Sequence, residues 1–148
     1  MKILKSFKYA FSGVCIAVRR ERNMRIHLAF AFYILLAAAV TGASRAEWAV
    51  VLLCIGAVTS AELINTALEK VCDRFCPEHS ADVGLIKDMA AAAVLVFGLV
   101  SAVVGGIIFF NAEKVGATIA FFSRYPVFAI VIVATLPVAI YLVFRKYK

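Results

Sequence analysis

The chain has 148 residues, of which 64% are hydrophobic and 17% charged, and its mean hydropathy of +0.96 lies well outside the range of ordinary soluble domains. The formal charge of +7 does not mark a nucleic-acid binder, because no basic aromatic patch stands on a soluble domain. The composition is that of a membrane protein.

In chain order, residues 1–20 come first. Lys2, Lys5 and Lys8 alternate with Ile3, Phe7, Phe11, Val14 and Val18, which is not the layout of a signal peptide. The spacing places the apolar side chains on one helical face and predicts an amphipathic helix lying along the membrane surface. Four apolar blocks follow, over 26–42, 48–68, 89–110 and 125–144. A helix needs about 20 apolar residues to cross about 30 Å of hydrocarbon, and it satisfies its backbone internally. The expectation is an all-α, polytopic membrane helix bundle: the surface helix, three core transmembrane helices, and a fourth at the C-terminal end in which Pro137 introduces a kink.

Lysine and arginine outside the blocks set the orientation. Residues 1–25, 70–88 and 145–148 hold thirteen of them, against three in the two remaining connections. Both termini and the middle connection are therefore expected in the cytoplasm, with the charge at the inner surface of the plasma membrane. On that topology Cys15, Cys72 and Cys76 face a reducing compartment and Cys54 lies in lipid, so no structural disulfide is expected. Cys72, Cys76 and His79 lack an evident fourth zinc ligand, and small packed side chains are the better reading of the thiols.

The second block carries an anomaly. AELINTALEK, residues 61–70, puts Glu62, Asn65 and Glu69 on one helical stripe, which Asp73 extends by a turn. Counted from Trp48, Glu62 lies about 21 Å along the helix and Glu69 about 31 Å. An acidic side chain in a membrane helix costs about 2.5–3.5 kcal/mol and usually faces protein or water. One explanation is structural, polar groups gluing helices together. The other is chemical: Glu21 precedes the first spanning helix, and Lys87 and Asp88 open the third, all at the same membrane depth. Acids and a lysine gathered where headgroups meet cytosol hold a divalent cation and neutralise phosphate, the requirements of phosphoryl transfer. Neither a Walker-type loop nor the protein-kinase motif set occurs.

The stretches SFKYAFSGV, ERNMRIHL, AELINTALEKVCDR, PEH and GLIKDMAAAAVL resemble the small integral-membrane lipid kinases of bacteria, the prokaryotic diacylglycerol kinase and undecaprenol kinase family. The core motif is E-x-x-N-x-x-x-E, followed about 18 residues later by lysine and aspartate, on membrane helices. The resemblance implies a kinase domain over 1–110 and an extension over 111–148. It implies Glu62 as general base on the lipid hydroxyl, with Asn65 orienting the reacting groups. Glu21 and Glu69 match the pair that holds Mg2+ with the ATP phosphates, and Lys87 contacts those phosphates with Asp88 beside it. Tyr9 falls where the family contacts the nucleotide, and Glu78 and His79 fall in the loop bordering it, the histidine displaced by one position from the frequent P-E-Y-H. The implied partners are ATP, a lipid alcohol and the bilayer, and the implied working unit is a homotrimer. ERNMRIHL and AEW lean toward the undecaprenol branch.

The reading from another class is an ion or proton transporter subunit using intramembrane carboxylates. It requires charges near the midplane reachable from both sides. The sequence places the acids toward the cytoplasmic ends and none in the outer half of any helix.

Overall fold

The computed structural model describes residues 2–76 and 80–145, Lys2 by its backbone alone. These residues form six helices and no strand: α1 Lys2–Arg20, α2 Arg22–Val40, α3 Arg45–Phe75, α4 Ala81–Phe109, α5 Ala112–Arg124 and α6 Pro126–Phe144. Helices α2, α3, α4 and α6 are long and apolar enough to cross a membrane, as the four blocks predict. Along α1, Ile3, Leu4, Phe7 and Phe11 are each more than 70% exposed. An apolar face left open in this way suits a helix resting on lipid.

Local chemistry sets the helix ends. Glu21 adopts an extended conformation and breaks α1 from α2. Between α2 and α3, Gly42 has a φ of +62°, and the amides of Gly42 and Ala43 donate to the carbonyls of Ala39 and Ala38. This is a Schellman closure, which needs a residue free of the Cβ penalty at that left-handed position. Ser44 and Glu47 then form a capping box: the Ser44 amide donates to Glu47 Oε2 at 2.6 Å and the Glu47 amide to Ser44 Oγ at 3.3 Å. Ser80 caps α4, Asn111 caps α5, and Pro126 starts α6 where its missing N–H costs nothing.

Helix α3 is the centre of the bundle. It packs most extensively on α4 and then on α2, while α6 lies against α2 and α5. The buried residues of α3 include Val51, Val58, Glu62, Asn65 and Cys72, spaced by three, four and seven as one face of a helix requires. Large apolar side chains of α4 and α6, such as Leu95, Ile107 and Ile130, remain more than 60% exposed and are left for lipid or for other chains. All four cysteines are free thiols.

Three sequence expectations need correction. The second and third apolar blocks understate their helices: α3 continues past residue 68 to Phe75, and α4 starts at Ala81, ahead of residue 89. With 31 and 29 residues, these helices reach about 45 Å and overrun the hydrocarbon by several turns. Apolar content marked the lipid-embedded portion and missed its polar continuation. Residues 112–124 form the amphipathic helix α5, where no element was expected; the Asn111 cap and the spacing of Val115, Ile119 and Phe122 were its signals. Finally, α3 begins at Arg45, so Glu47 stands in its first turn. The end of the bundle opposite Glu69 does carry an acid. Glu47 pairs at 3.1 Å with Lys114 of α5, which is only 7% exposed and also donates to the carbonyls of Thr41 and Gly42. An acid-base pair with its remaining donors satisfied is a fastening between helices.

Candidate active site

The anomalous stripe of α3 faces inward. Glu62 is 2% exposed and Asn65 5%. They form the floor of a cleft of about 340 Å³ between α2, α3 and α4, whose walls include Asn23, His27, Leu95 and Gly98. Asn65 donates its amide to Glu69 Oε1 at 3.0 Å, one turn nearer the α1 end. Its buried Oδ1 has no hydrogen-bond partner among the described residues. A buried carbonyl oxygen without a donor costs about 1–3 kcal/mol, and one at the edge of a cleft is ready to accept from a hydroxyl placed there. Among the described residues the Glu62 carboxylate itself makes no hydrogen bond to another helix, which leaves the glue explanation without a contact at Glu62.

Toward the α1 end, two lysines meet the acids. Lys70 of α3 pairs with Glu21, at the α1–α2 corner. Lys87 of α4 pairs with Asp73 of α3. Glu62 lies within electrostatic reach of both Glu69 and Glu21. Three carboxylates thus approach one another from one helix and a corner, with Lys70 half-exposed and Lys87 about one-third exposed beside them.

This donor set suits one kind of cation. Among the described residues no group of three or more histidine, cysteine, aspartate or glutamate side chains is assembled to hold a metal by itself. Mg2+ is usually held by one or two carboxylates, with water and substrate phosphate completing its shell. Glu21, which here holds Lys70, and Glu69 have the donor chemistry for that role, whereas no site enclosed wholly by protein forms among the described residues.

In the opposite direction the cleft opens into an apolar groove of about 450 Å³. His27 and Gly98 line both spaces. Beyond them the groove is walled by residues such as Phe30, Val58, Ala102 and Phe109. Gly98 contributes room at the junction, since a Cβ built there meets nothing within 4 Å.

The sequence-predicted residues therefore divide into groups. Glu62, Asn65, Glu69 and Glu21 come together. Lys87 is held beside Asp73, while Asp88 stands exposed on α4. Tyr9 is 72% exposed on α1 and does not line the cleft. Glu78 and His79 lie outside the described residues. Sequence reasoning missed Lys70 as the partner of Glu21, and Asn23 and His27 as cleft residues. The last two stand four apart in ERNMRIHL, on one face of α2, and that spacing was the available signal.

The profile of the prokaryotic diacylglycerol kinases matches residues 8–109, ending where α4 ends. The chain is 37% identical over 108 residues to an undecaprenol kinase of Bacillus subtilis, covering 73% of this chain and 88% of that protein. It is 37% identical over 105 residues to a diacylglycerol kinase of Synechocystis, covering 70% of this chain and 60% of the longer relative. It is 29% identical over 109 residues to a diacylglycerol kinase of Haemophilus influenzae, covering 73% and 92%. No solved structure matches the chain.

Proposed function

Since this chain belongs to the prokaryotic diacylglycerol kinase family, and is a multi-pass membrane lipid kinase, we propose that it transfers the γ-phosphate of ATP to the hydroxyl of a single-chain polyprenol, undecaprenol, in preference to diacylglycerol. The observation that carries the transfer chemistry is the buried pair Glu62 and Asn65, in a cleft that meets an apolar groove at His27 and Gly98. An alcohol whose tail occupies the groove presents its hydroxyl to Glu62, and a nucleotide entering from the α1 end presents phosphate to Lys87. Nothing favours the transporter reading.

In this mechanism Glu62 takes the proton from the lipid hydroxyl as its oxygen attacks the γ-phosphorus. A new P–O bond forms, the bond to the bridging oxygen breaks, and ADP departs. The Asn65 carbonyl oxygen orients the hydroxyl, while its amide holds Glu69 in place. Glu21 and Glu69 would hold Mg2+, which supplies charge neutralisation to the phosphates when bound. Lys87 exchanges Asp73 for a phosphate oxygen, and Asp88 lies beside it. Most of the acceleration then comes from positioning and electrostatics.

The exposed positions of Tyr9 and Asp88 fit a site completed by a neighbouring protomer of a homotrimer. Residues 1–110 then constitute the kinase domain and 111–148 an extension of it, with the site at the cytoplasmic face. Tyr9, Glu78 and His79 belong to the nucleotide side of this arrangement. The test supplies purified protein with labelled ATP and, separately, undecaprenol and diacylglycerol in micelles. Faster labelling of undecaprenol supports the substrate assignment; labelling of neither alcohol overturns the activity.

A further inference from the structure

Helix α6 lies outside the segment that matches the kinase family, yet it is not loosely attached. At mid-depth, Tyr33 of α2 and Thr135 of α6 share a hydrogen bond of 3.1 Å. At the α1 end, Arg25 in the first turn of α2 reaches two helix ends at once. Its Nε donates to the Val143 carbonyl at 3.0 Å and its Nη2 to the Arg145 carbonyl at 3.3 Å, both at the C-terminal end of α6. Its Nη1 donates to the carbonyls of Val18 and Arg19, at the C-terminal end of α1, at 3.2 and 3.1 Å. Arg22 adds a cation–π contact, its guanidinium 5.9 Å from the centre of the Phe144 ring.

Each element of this junction has a physical reason. The last carbonyls of a helix lack intrahelical donors and carry the negative end of its dipole, so a cation is favoured there. Arginine, with five donors in a rigid fork, can serve two such ends where lysine can serve one. Ala17, Met24 and Val143, at or beside the anchor points, are all less than 9% exposed, so the corner is packed as well as bonded. Between α1, whose end Arg25 bonds, and α2, which carries Arg25, stands Glu21, four residues away in an extended backbone conformation. Its side chain makes no cap hydrogen bond and pairs with Lys70 instead, while its amide donates to the Ala17 carbonyl and its carbonyl accepts from the Arg25 amide, so its backbone direction follows the angle between α1 and α2.

We propose that Arg25 is a positioning residue for Glu21, and that the C-terminal end of α6 is the anchor through which it acts. The appended helix thereby sets the geometry of the cation and phosphate side of the site without touching substrate. This rests on the reading of Glu21 as a ligand of Mg2+ and ATP.

The test uses the full-length chain with two readouts: the Mg2+ titration of turnover at saturating ATP and lipid, and retention of Mn2+ with nucleotide measured by electron paramagnetic resonance, which needs no turnover. Arg25→Gln should raise the half-saturating metal concentration and weaken Mn2+ retention by about ten-fold, as loss of an outer support of a metal ligand does, with kcat at saturating metal little changed. Arg25→Lys should recover part of the loss. Phe144→Ala, which removes the Arg22 contact at the end of α6, should shift both readouts in the same direction, and its combination with Arg25→Gln should fall short of the sum. A loss of kcat or of thermal stability with an unmoved metal titration overturns the proposal, as does strict additivity with Phe144→Ala. Glu21→Gln separates the two levels. If it leaves the metal titration unmoved, the reading of Glu21 has failed; if it shifts the titration and neither Arg25 variant does, only the anchoring role has failed.

Discussion

Glu62→Gln distinguishes a catalytic carboxylate from a structural one, because the two accounts predict opposite signs for stability. Glutamine keeps the shape of the side chain and removes its charge and basicity. A general base contributes about 10²–10⁴-fold, so lipid phosphorylation by labelled ATP should fall by about a hundred-fold or more. Stability should move the other way. Glu62 and Glu69 are seven residues apart on α3, about 10 Å along the axis, and two carboxylates at that distance repel by up to about 1.6 kcal/mol at an effective dielectric of 20. Glu62 makes no hydrogen bond among the described residues to offset this, so the neutral variant should melt higher in detergent while binding ATP as before. A variant that melts lower because it has lost a helix-helix contact, or one that retains turnover within about ten-fold, which a lost base does not allow, would refute the catalytic reading of this residue.

Lys87→Met removes both the contact to Asp73 and the proposed contact to phosphate. It should raise the KM for ATP by about ten-fold, in line with loss of one charge-assisted bond, and leave the KM for lipid unchanged; equal changes in both would place Lys87 elsewhere in the reaction. Gly98→Leu puts a side chain into open space at the junction of groove and cleft. Folding should be preserved, the KM for lipid should rise and nucleotide binding, followed by fluorescence of a labelled ATP analogue, should not change. Lys114→Met leaves Glu47 and two turn carbonyls without their cation at the end of the bundle remote from Glu62. The melting temperature should fall, while turnover at a temperature well below melting should persist.

How far the sequence reached depended on which physical signal each element carries. The four spanning helices were legible because lipid demands long apolar runs, a constraint that composition alone exposes. The stripe of Glu62, Asn65 and Glu69 was legible because charge inside such a run is expensive and helical spacing tells which residues share a face. The polar turns beyond the lipid carry neither signal. There α3 and α4 are held by caps and by pairs such as Lys87 with Asp73, which hydropathy does not register, and α5 was missed for the same reason. Partners set by tertiary geometry were illegible in principle: Glu21 and Lys70 are 49 positions apart, and Arg25 reaches Val143 across 118.

That last distance bears on how a fourth spanning helix can be added to a lipid kinase. A helix held only by lipid-facing aliphatic contacts gains little from association, since hydrocarbon tails solvate leucine and valine as well as protein does. Helix α6 is almost wholly apolar, and most of its large side chains remain exposed. Its fixed position must therefore come from the few polar groups it does offer: the Thr135 hydroxyl to Tyr33 and its terminal carbonyls to Arg25. Both partners lie on α2, the helix that also contributes Asn23 and His27 to the cleft. An element attached through those groups cannot shift without loading α2 and the corner at Glu21. Its attachment and its influence on phosphate handling are thus the same set of bonds.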